Sequence, residues 1–353
     1  MKTEIVLGLQ FGDEGKGATV NSLSTSKSLV VRFNGGHQAG HTVEHKGFRH
    51  VFSTFGSGSL KGASTYISEY CTLYPKAYYH ERRKLMEAGY NPSVYVHPLT
   101  MITTPWDVEY NQEREKKMQH GSVGVGFGAT IERTEKSPHK LYAVDLRYPG
   151  ILERKLKGIA QYYRKDVRVG VLDEYMNYVE KMDLSITHMD DILGLHDKVI
   201  FEGAQGILLD QQFGYFPNVT RSNTTSRNAM EIINRMDLEY PEIYYVMRSY
   251  LTRHGNGYMP YEDKTLKFED KTNVSSMYQG DFRQGWHSAD HLGYALRCDN
   301  IFSHDARKRH LVITCLDQTD NMVYYQKEKV KVDDFIGKWS TFDSYIMKMY
   351  EAV

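Results

Sequence analysis

The residues best suited to chemistry stand close together near the N-terminus, as Gly-Asp-Glu-Gly-Lys-Gly at residues 12–17. Glycines let the backbone approach an anion closely, and Lys16 adds a positive charge, so this stretch predicts a loop that binds a polyphosphate. It differs from the usual P-loop, because Gly17 stands where that loop has a Ser or Thr that binds magnesium. Asp13 is therefore the candidate metal ligand. The alternative is an ordinary glycine-rich turn between a strand and a helix.

A strand, a helix and a second strand must position this loop. Apolar runs predict strands at residues 4–9 and 29–33, with a helix at 15–24 between them. The second strand leads into another glycine-rich loop, residues 34–42, which contains His41. In a βαβ unit both loops lie at the carboxyl edge of a parallel sheet, so we expect His41 to lie near Asp13. Capping of its own loop is the alternative role for His41.

Further glycine-rich or polar loops continue this pattern along the chain. They lie at residues 120–130, 202–206, 218–225 and 253–257, and the last clear strand, 311–317, ends in Asp317. Helix capping is the alternative role for Asp317. No repeat or low-complexity linker divides the sequence. We therefore predict one α/β domain, residues 1–353, built on a large doubly wound, mostly parallel sheet with insertions, although length alone would suggest about two domains.

Composition makes several classes of function less favoured. The 353 residues include 44 basic and 44 acidic side chains, and this balance does not favour nucleic acid or a membrane as partner. The sequence starts directly with a strand, and no apolar run approaches the roughly 20 residues of a membrane span. The 3 cysteines form no Cys-x-x-Cys pair, which indicates a reducing compartment and argues against structural zinc. We expect a cytoplasmic protein.

Four sequence motifs together resemble the adenylosuccinate synthetase family in order and spacing. They are Gly-Asp-Glu-Gly-Lys-Gly at 12–17, Gly-His-Thr at 40–42, Phe-Glu-Gly-Ala-Gln-Gly at 201–206 and Val-Thr-Arg-Ser-Asn-Thr-Thr at 219–225. The resemblance runs from residue 2 to about 320. It implies a magnesium-dependent ligase that phosphorylates the 6-oxygen of a purine nucleotide with GTP and then displaces the phosphate with the amine of L-aspartate.

The resemblance also implies roles for individual residues. Asp13 would be the general base and a magnesium ligand, with the carbonyl of Gly40 as a second ligand. His41 would stabilise the developing charge as an acid, and Gln205 would bind the purine edge during catalysis. The other implied sites are the nucleoside triphosphate site (Gly12, Glu14, Gly15, Lys16, Gly17, Thr42 and Asp317), the purine monophosphate site (Gln38, Ser122, Val123, Arg133, Gln205 and Thr220) and the aspartate site (Ser275, Ser276 and Arg283).

Three of these assignments carry alternatives. Arg133 matches an arginine that, in this family, reaches across a homodimer interface. The alternative is that Arg133 is a solvated surface charge. Gln205 could bind only backbone groups of its own turn. Asp317 would select GTP by binding guanine, but Cys315 stands where the family usually has a lysine, so ATP stays open as the donor.

Several departures resemble the viral branch of the family, which joins aspartate to dGMP on the route to diaminopurine deoxynucleotides. The aspartate loop keeps only Arg283 of several arginines, Gln38 replaces a common asparagine, and residues 124–130 lack the usual Gly-Arg-Gly-Ile-Gly-Pro. Asp13 argues for the conventional branch, because the viral branch often has a smaller residue there. We therefore predict a dGMP ligase, in the host cytoplasm if viral, with the IMP-dependent enzyme as the alternative. A nucleotide-binding module or GTPase without ligation is the alternative from another class.

Overall fold

One nine-stranded sheet organises the protein, and all pairings between its neighbouring strands are parallel. The computed structural model describes residues 1–118, 123–270, 272–273, 280–339 and 342–347. This confirms the predicted α/β class with a large, mostly parallel sheet. No described helix is long and apolar enough to cross a lipid bilayer.

The strands lie at the following positions: β1 (Lys2–Gly8), β2 (Ser28–Arg32), β3 (His41–His45), β4 (Phe48–Phe52), β5 (Ser64–Ile67), β6 (Thr72–Leu73), β7 (Val94–Val96), β8 (Met101–Ile102), β9 (Ser185–Ile186), β10 (Lys198–Glu202), β11 (Glu242–Arg248), β12 (Leu251–His254), β13 (Phe282–Gly285), β14 (Lys308–Thr314), β15 (Met322–Tyr325), β16 (Glu328–Lys331) and β17 (Ser344–Met347). The large sheet has the order β17-β14-β11-β1-β10-β2-β5-β7-β9.

The helices are α1 (Lys16–Leu23), α2 (Pro75–Glu87), α3 (Pro105–Met118), α4 (Phe127–Lys136), α5 (Pro149–Tyr162), α6 (Val169–Glu180), α7 (Asp190–Leu193), α8 (Arg227–Arg235), α9 (Ala289–Ser303) and α10 (Val332–Ile336). The predicted first helix, residues 15–24, agrees with α1 to within one residue at each end.

Both faces of the sheet are buried, as its continuous apolar strands require. In β1, Ile5 and Leu7 pack on the face covered by α8 and α9. Val6 points to the opposite face and packs with Val20 of α1. Because every strand of the sheet runs in the same direction, the loops after β1, β2, β10, β11 and β14 all reach one edge, where ligands of such sheets bind.

Candidate active site

A cavity of about 660 Å³ opens at this carboxyl edge. Its lining brings together most of the predicted site residues: Gly12, Asp13, Glu14, Gly15, Lys16, Gly17, Gln38, Gly40, His41, Thr42, Val123, Gln205 and Thr220. Ser122, Ser275 and Ser276 lie outside the described residues. The expectation that the first two loops meet at one edge is therefore confirmed.

The loop between β1 and α1 has the tight backbone that a phosphate loop needs. Gly12, Asp13 and Gly15 have φ values of 88°, 56° and 95°, in the left-handed region. Asp13 adopts this conformation although it is not glycine, and its carbonyl accepts a hydrogen bond from Arg248 Nε. A Cβ on Gly15 would lie 2.8 Å from Thr314 Cγ2, so close packing against β14 also requires glycine here. The loop is thus fixed from the side of β11 and β14.

Glu14 and Lys16 are both buried at this loop, and their charges influence each other. Glu14 Oε1 accepts the backbone N–H of Gln10 at 2.7 Å, whereas its Oε2 has no hydrogen-bond partner among the described residues. Burial raises the pKa of the Glu14 carboxyl to about 8, although Lys16 acts in the opposite direction. Burial likewise lowers the pKa of Lys16. An anion bound in the cavity would favour the charged form of Lys16 and thereby gain binding energy.

His41 is oriented by a buried carboxylate. Its Nδ1 lies 2.6 Å from Glu202 Oε1, and the N–H and hydroxyl groups of Ser57 also donate to Glu202. His41 Nε2 has no partner among the described residues. Burial disfavours the charge on Glu202, but His41, Arg32 and Ser57 outweigh it and hold the pKa of this carboxyl at about 2. Burial lowers the pKa of His41, and Glu202 partly offsets this.

The position of His41 explains the glycine that distinguishes this loop from a P-loop. A Cβ on Gly17 would lie 2.9 Å from His41 Cβ. The missing side chain therefore lets His41, at the start of β3, pack directly against the first turn of α1. One ring nitrogen of His41 is held by Glu202, while the other has no protein partner within the described ranges, so the imidazole can contact a ligand in the cavity. Its catalytic role stays a prediction.

Two amide side chains form another part of the lining. Both polar atoms of the Gln38 amide and the Oε1 atom of Gln205 are buried without a hydrogen-bond partner among the described residues. Gln205 has φ 64°, so its left-handed backbone holds it at the turn after β10. Leaving buried amide groups unpaired costs free energy, and a ligand that pairs with them would recover that cost.

The prediction for Arg133 is wrong in both of its forms. Its side chain is fully buried, with Nε 2.8 Å from Asp107 Oδ1 and Nη2 3.0 Å from Oδ2. The guanidinium also donates to the carbonyls of His139 and Ile102. Arg133 therefore joins α4 to α3 and is not a surface charge; its guanidinium is already bound within its own chain, which does not match the predicted contact with a second protomer.

Arg283 lies outside the described lining of the cavity, and its guanidinium is already bound. Nη1 donates to Glu262 Oε2 at 2.7 Å, while Nε and Nη2 donate to the carbonyls of Gly255 and Gly257. This arrangement holds the loop after β12 and does not match the predicted binding of a substrate carboxylate. Asp317 is exposed in the turn after β14 and also lies outside the cavity lining, so its role in guanine binding stays a prediction.

Sequence reasoning missed several charged residues that the structure places at the site. Arg114, Arg221, Arg248 and Arg253 line the cavity, and Glu202 orients His41. A signal for Glu202 existed, because it is an acid at the end of an apolar strand. Arg221 and Arg253 stand in polar loops that the sequence pattern indicated, whereas Arg114 and Arg248 had no such signal.

Asp13 and Gly40 provide the kind of donors that a magnesium ion needs. Both residues line the cavity, where a carboxylate and a peptide carbonyl are hard oxygen ligands. The described residues contain no cluster of three or more His, Cys, Asp or Glu side chains that could hold a metal by themselves. Magnesium fits such a site, because it is commonly held by one or two carboxylates together with substrate phosphates and water.

Comparison with known proteins gives a consistent result. A sequence model of the family described as adenylosuccinate synthetase matches residues 5–340. The chain is 30% identical to the adenylosuccinate synthetase of Thermodesulfovibrio yellowstonii over 354 residues, covering 94% of this chain and 80% of that enzyme. It is 33% identical to the Xanthomonas oryzae enzyme of the same name, covering 93% of this chain and 79% of that enzyme.

Two solved structures share the fold. The fully ligated adenylosuccinate synthetase of Plasmodium falciparum has a TM-score of 0.73 and 22% identity, with 90% of this chain and 77% of that chain covered. The cyanophage S-2L succinoaminodeoxyadenylate synthetase, bound to dGMP and to dATP as an energy donor, has a TM-score of 0.65 and 16% identity. The match covers 99% of this chain and 92% of the phage chain.

Proposed function

Because the chain belongs to the adenylosuccinate synthetase family, whose members are carbon–nitrogen ligases that use a nucleoside triphosphate and aspartate, we propose that it joins L-aspartate to the 6-position of dGMP. The product is N6-succino-2-amino-2′-deoxyadenylate, a precursor of diaminopurine deoxynucleotides. GTP or ATP is the phosphate donor.

One observation carries the choice of a guanine base. Gln38 contributes its buried amide and Gln205 its buried Oε1 atom to the same cavity, and within the part of the chain that the structure describes these atoms have no hydrogen-bond partner. The two carbonyl oxygens can accept hydrogen bonds. Guanine presents one more N–H donor group than hypoxanthine, because it has a 2-amino group. Two amide oxygens that can accept hydrogen bonds therefore suit guanine, with its additional N–H donor group, better than hypoxanthine.

The cavity residues support a two-step mechanism. In the first step, the Asp13 carboxylate takes the N1 proton, so that O6 attacks the γ-phosphorus and the bond from phosphorus to the bridging oxygen of the triphosphate breaks. Lys16 and the glycine-loop amides hold the triphosphate. His41, oriented by Glu202, presents Nε2 to the phosphoryl group; the phosphate charges oppose the effect of burial and favour a proton on that atom.

In the second step, the aspartate amine forms a bond to C6, and the C6–O6 bond breaks with release of inorganic phosphate. The amine loses a proton to water, and phosphate carries away the oxygen that was originally at C6. Asp13 and Gly40 would hold Mg²⁺, which neutralises charge on the triphosphate when bound.

Structural similarity supports the proposal for dGMP, since the cyanophage enzyme was solved with this nucleotide and matches almost the whole of both chains. Asp13 and the names of the curated relatives favour a conventional enzyme that acts on IMP, which is the alternative function. We further propose, from the resemblance alone, a single-domain chain that forms a homodimer.

The decisive test is a product assay by mass spectrometry. Purified protein receives magnesium, L-aspartate, GTP or ATP, and one of dGMP, GMP or IMP in separate reactions. Formation of the succinylated product from dGMP but not from IMP is the expected result. Product from IMP alone would establish the conventional function, and triphosphate hydrolysis that is independent of aspartate and of any monophosphate would indicate a GTPase or binding module.

A further inference from the structure

Two arginines at the cavity share one carboxylate. Arg114 of α3 and Arg221 of the loop before α8 both line the cavity, as does Glu132 of α4. Arg114 Nη1 lies 2.7 Å from Glu132 Oε2, and Arg221 Nη1 lies 3.0 Å from the same oxygen. Lys136 Nζ also lies 3.4 Å from Glu132 Oε1, so this one carboxylate balances three cationic side chains.

These arginines are accessible to a ligand. The side chains of Arg114 and Arg221 are 41% and 34% exposed. The other two arginines in the described lining, Arg248 and Arg253, are buried and donate to groups of the protein. The pair formed by Arg114 and Arg221 is thus the accessible arginine cluster in the described part of the cavity.

The cluster is separate from the cation of the glycine loop. Lys16 interacts with Glu14, whereas Arg114 and Arg221 interact with Glu132, so the two cationic groups do not share a partner. A ligase that brings a nucleoside triphosphate and a nucleoside monophosphate together needs two places for phosphate. Lys16 and the glycine loop provide one of them.

We propose that Arg114 and Arg221 bind the 5′-phosphate of the purine nucleotide from within the same protomer. This inference rests on the proposed function of the site. Arg221 directly follows Thr220, which also lines the cavity and offers a hydroxyl donor. Since Arg133 is buried against Asp107, the arginines of this cluster provide the charge that the resemblance had assigned to it.

Charge explains how a nucleotide competes with Glu132 for these arginines. A phosphomonoester carries about −1.5 to −2 charges at pH 7 and three acceptor oxygens, whereas the carboxylate carries one charge. Arginine also pairs with phosphate through two parallel hydrogen bonds. Glu135 lies 4.0 Å from Arg221 Nη2 but is 57% exposed, so that water screens its charge.

The test uses Arg114→Gln, Arg221→Gln and the double variant, with Arg227→Gln as the matched control. Arg227 is a similarly exposed arginine that pairs with Glu231 on α8 and lies outside the described cavity lining. Calorimetry measures the affinity of each protein for dGMP, IMP and the nucleoside 2′-deoxyguanosine. Thermal unfolding verifies that each variant is folded.

Each single variant is expected to bind the preferred monophosphate roughly tenfold or more weakly, because it loses charge-assisted hydrogen bonds. The double variant should lose about a hundredfold, while affinity for the nucleoside and the KM values for triphosphate and aspartate stay within about twofold of wild type. Arg227→Gln should match wild type.

Equal monophosphate affinity in the wild type and the double variant would overturn this inference while leaving the proposed function intact. An equal loss in Arg227→Gln would also overturn it, since the effect would then reflect overall charge. If the wild-type protein binds neither dGMP nor IMP, the proposed function itself fails, and the inference fails with it.

Discussion

Replacing Glu202 with glutamine tests whether the buried carboxylate sets the charge and orientation of His41. The variant keeps the shape of the side chain and an oxygen that accepts the Nδ1–H of His41, but it removes the negative charge 2.6 Å away. A proton on His41 Nε2 would then lack its counter-charge. Glu202→Gln should therefore weaken the stabilisation that His41 gives to the phosphoryl group.

The expected loss follows from the strength of one charge-assisted hydrogen bond, about 1.5–3 kcal/mol. Since about 1.4 kcal/mol corresponds to a tenfold change in rate, kcat should fall roughly 10- to 100-fold. KM for aspartate should change little, because Glu202 contacts His41 and Ser57 and is fully buried beneath the cavity. Steady-state kinetics with each substrate varied in turn measures both quantities.

Stability should respond to pH in a defined direction. The pKa of Glu202 is about 2 in the folded protein, below its ordinary value of 4.5, so its charge stabilises the fold above about pH 4.5. This contribution is lost as the pH falls from 4.5 towards 2. The difference in Tm between wild type and Glu202→Gln should therefore be greatest above pH 5 and become smaller in acid.

Glu81→Gln is the matched control, since Glu81 is another buried acid and accepts the backbone N–H groups of Ser53, Thr54 and Phe55. It lies outside the cavity lining described above. This variant should lose stability but keep its kcat. A folded Glu202→Gln enzyme with kcat within twofold of wild type would refute the reasoning about His41.

Three other substitutions examine the remaining parts of the site. Asp13→Asn should lower kcat by roughly 10²- to 10⁴-fold as a general base is lost, with an unchanged circular dichroism spectrum; near-normal kcat would remove Asp13 as the base. Asp270→Asn removes the anion 2.7 Å from buried Arg248 and should cost about 3 kcal/mol of unfolding free energy in urea titrations; a change below about 0.5 kcal/mol would contradict this. Gly17→Ala places a Cβ against His41 and should lower kcat at least tenfold, so full activity in this variant would show that the close contact is dispensable.

The sequence predicts the elements around the glycine loop because two simple patterns coincide there. A strand that is buried on both faces of a sheet appears in the sequence as a continuous run of apolar residues, and a glycine marks the end of the strand. The predicted strand at residues 4–9 and helix at 15–24 correspond to β1 and α1, with differences of at most two residues. The rule that parallel strands end at one edge then places His41 in the same cavity as Asp13, as the structure confirms.

The role of Arg133 could not be predicted in this way, because its partner lies on another helix. Asp107 precedes it by 26 residues, and only the packing of α3 on α4 brings the two side chains together. Arg283 is a similar case: its acceptors Gly255 and Gly257 lie in a loop that meets it through the pairing of β12 with β13. In both cases the residue type suggested a free cation, whereas the folded protein had already neutralised or hydrogen-bonded it.

The glycine loop shows how a departure from a known motif acquires a physical reason in the structure. A hydroxyl-bearing residue at position 17 would offer a magnesium ligand, but its Cβ would lie 2.9 Å from His41 Cβ. Glycine gives up that ligand and gains space for the imidazole beside the phosphate loop. The magnesium ligand that we propose in its place is Asp13, which has a left-handed conformation and whose carbonyl accepts a hydrogen bond from Arg248. If Asp13 is the proposed ligand, Gly17 and Asp13 depend on each other: glycine at position 17 makes room for His41, and the carboxylate of Asp13 replaces the missing hydroxyl.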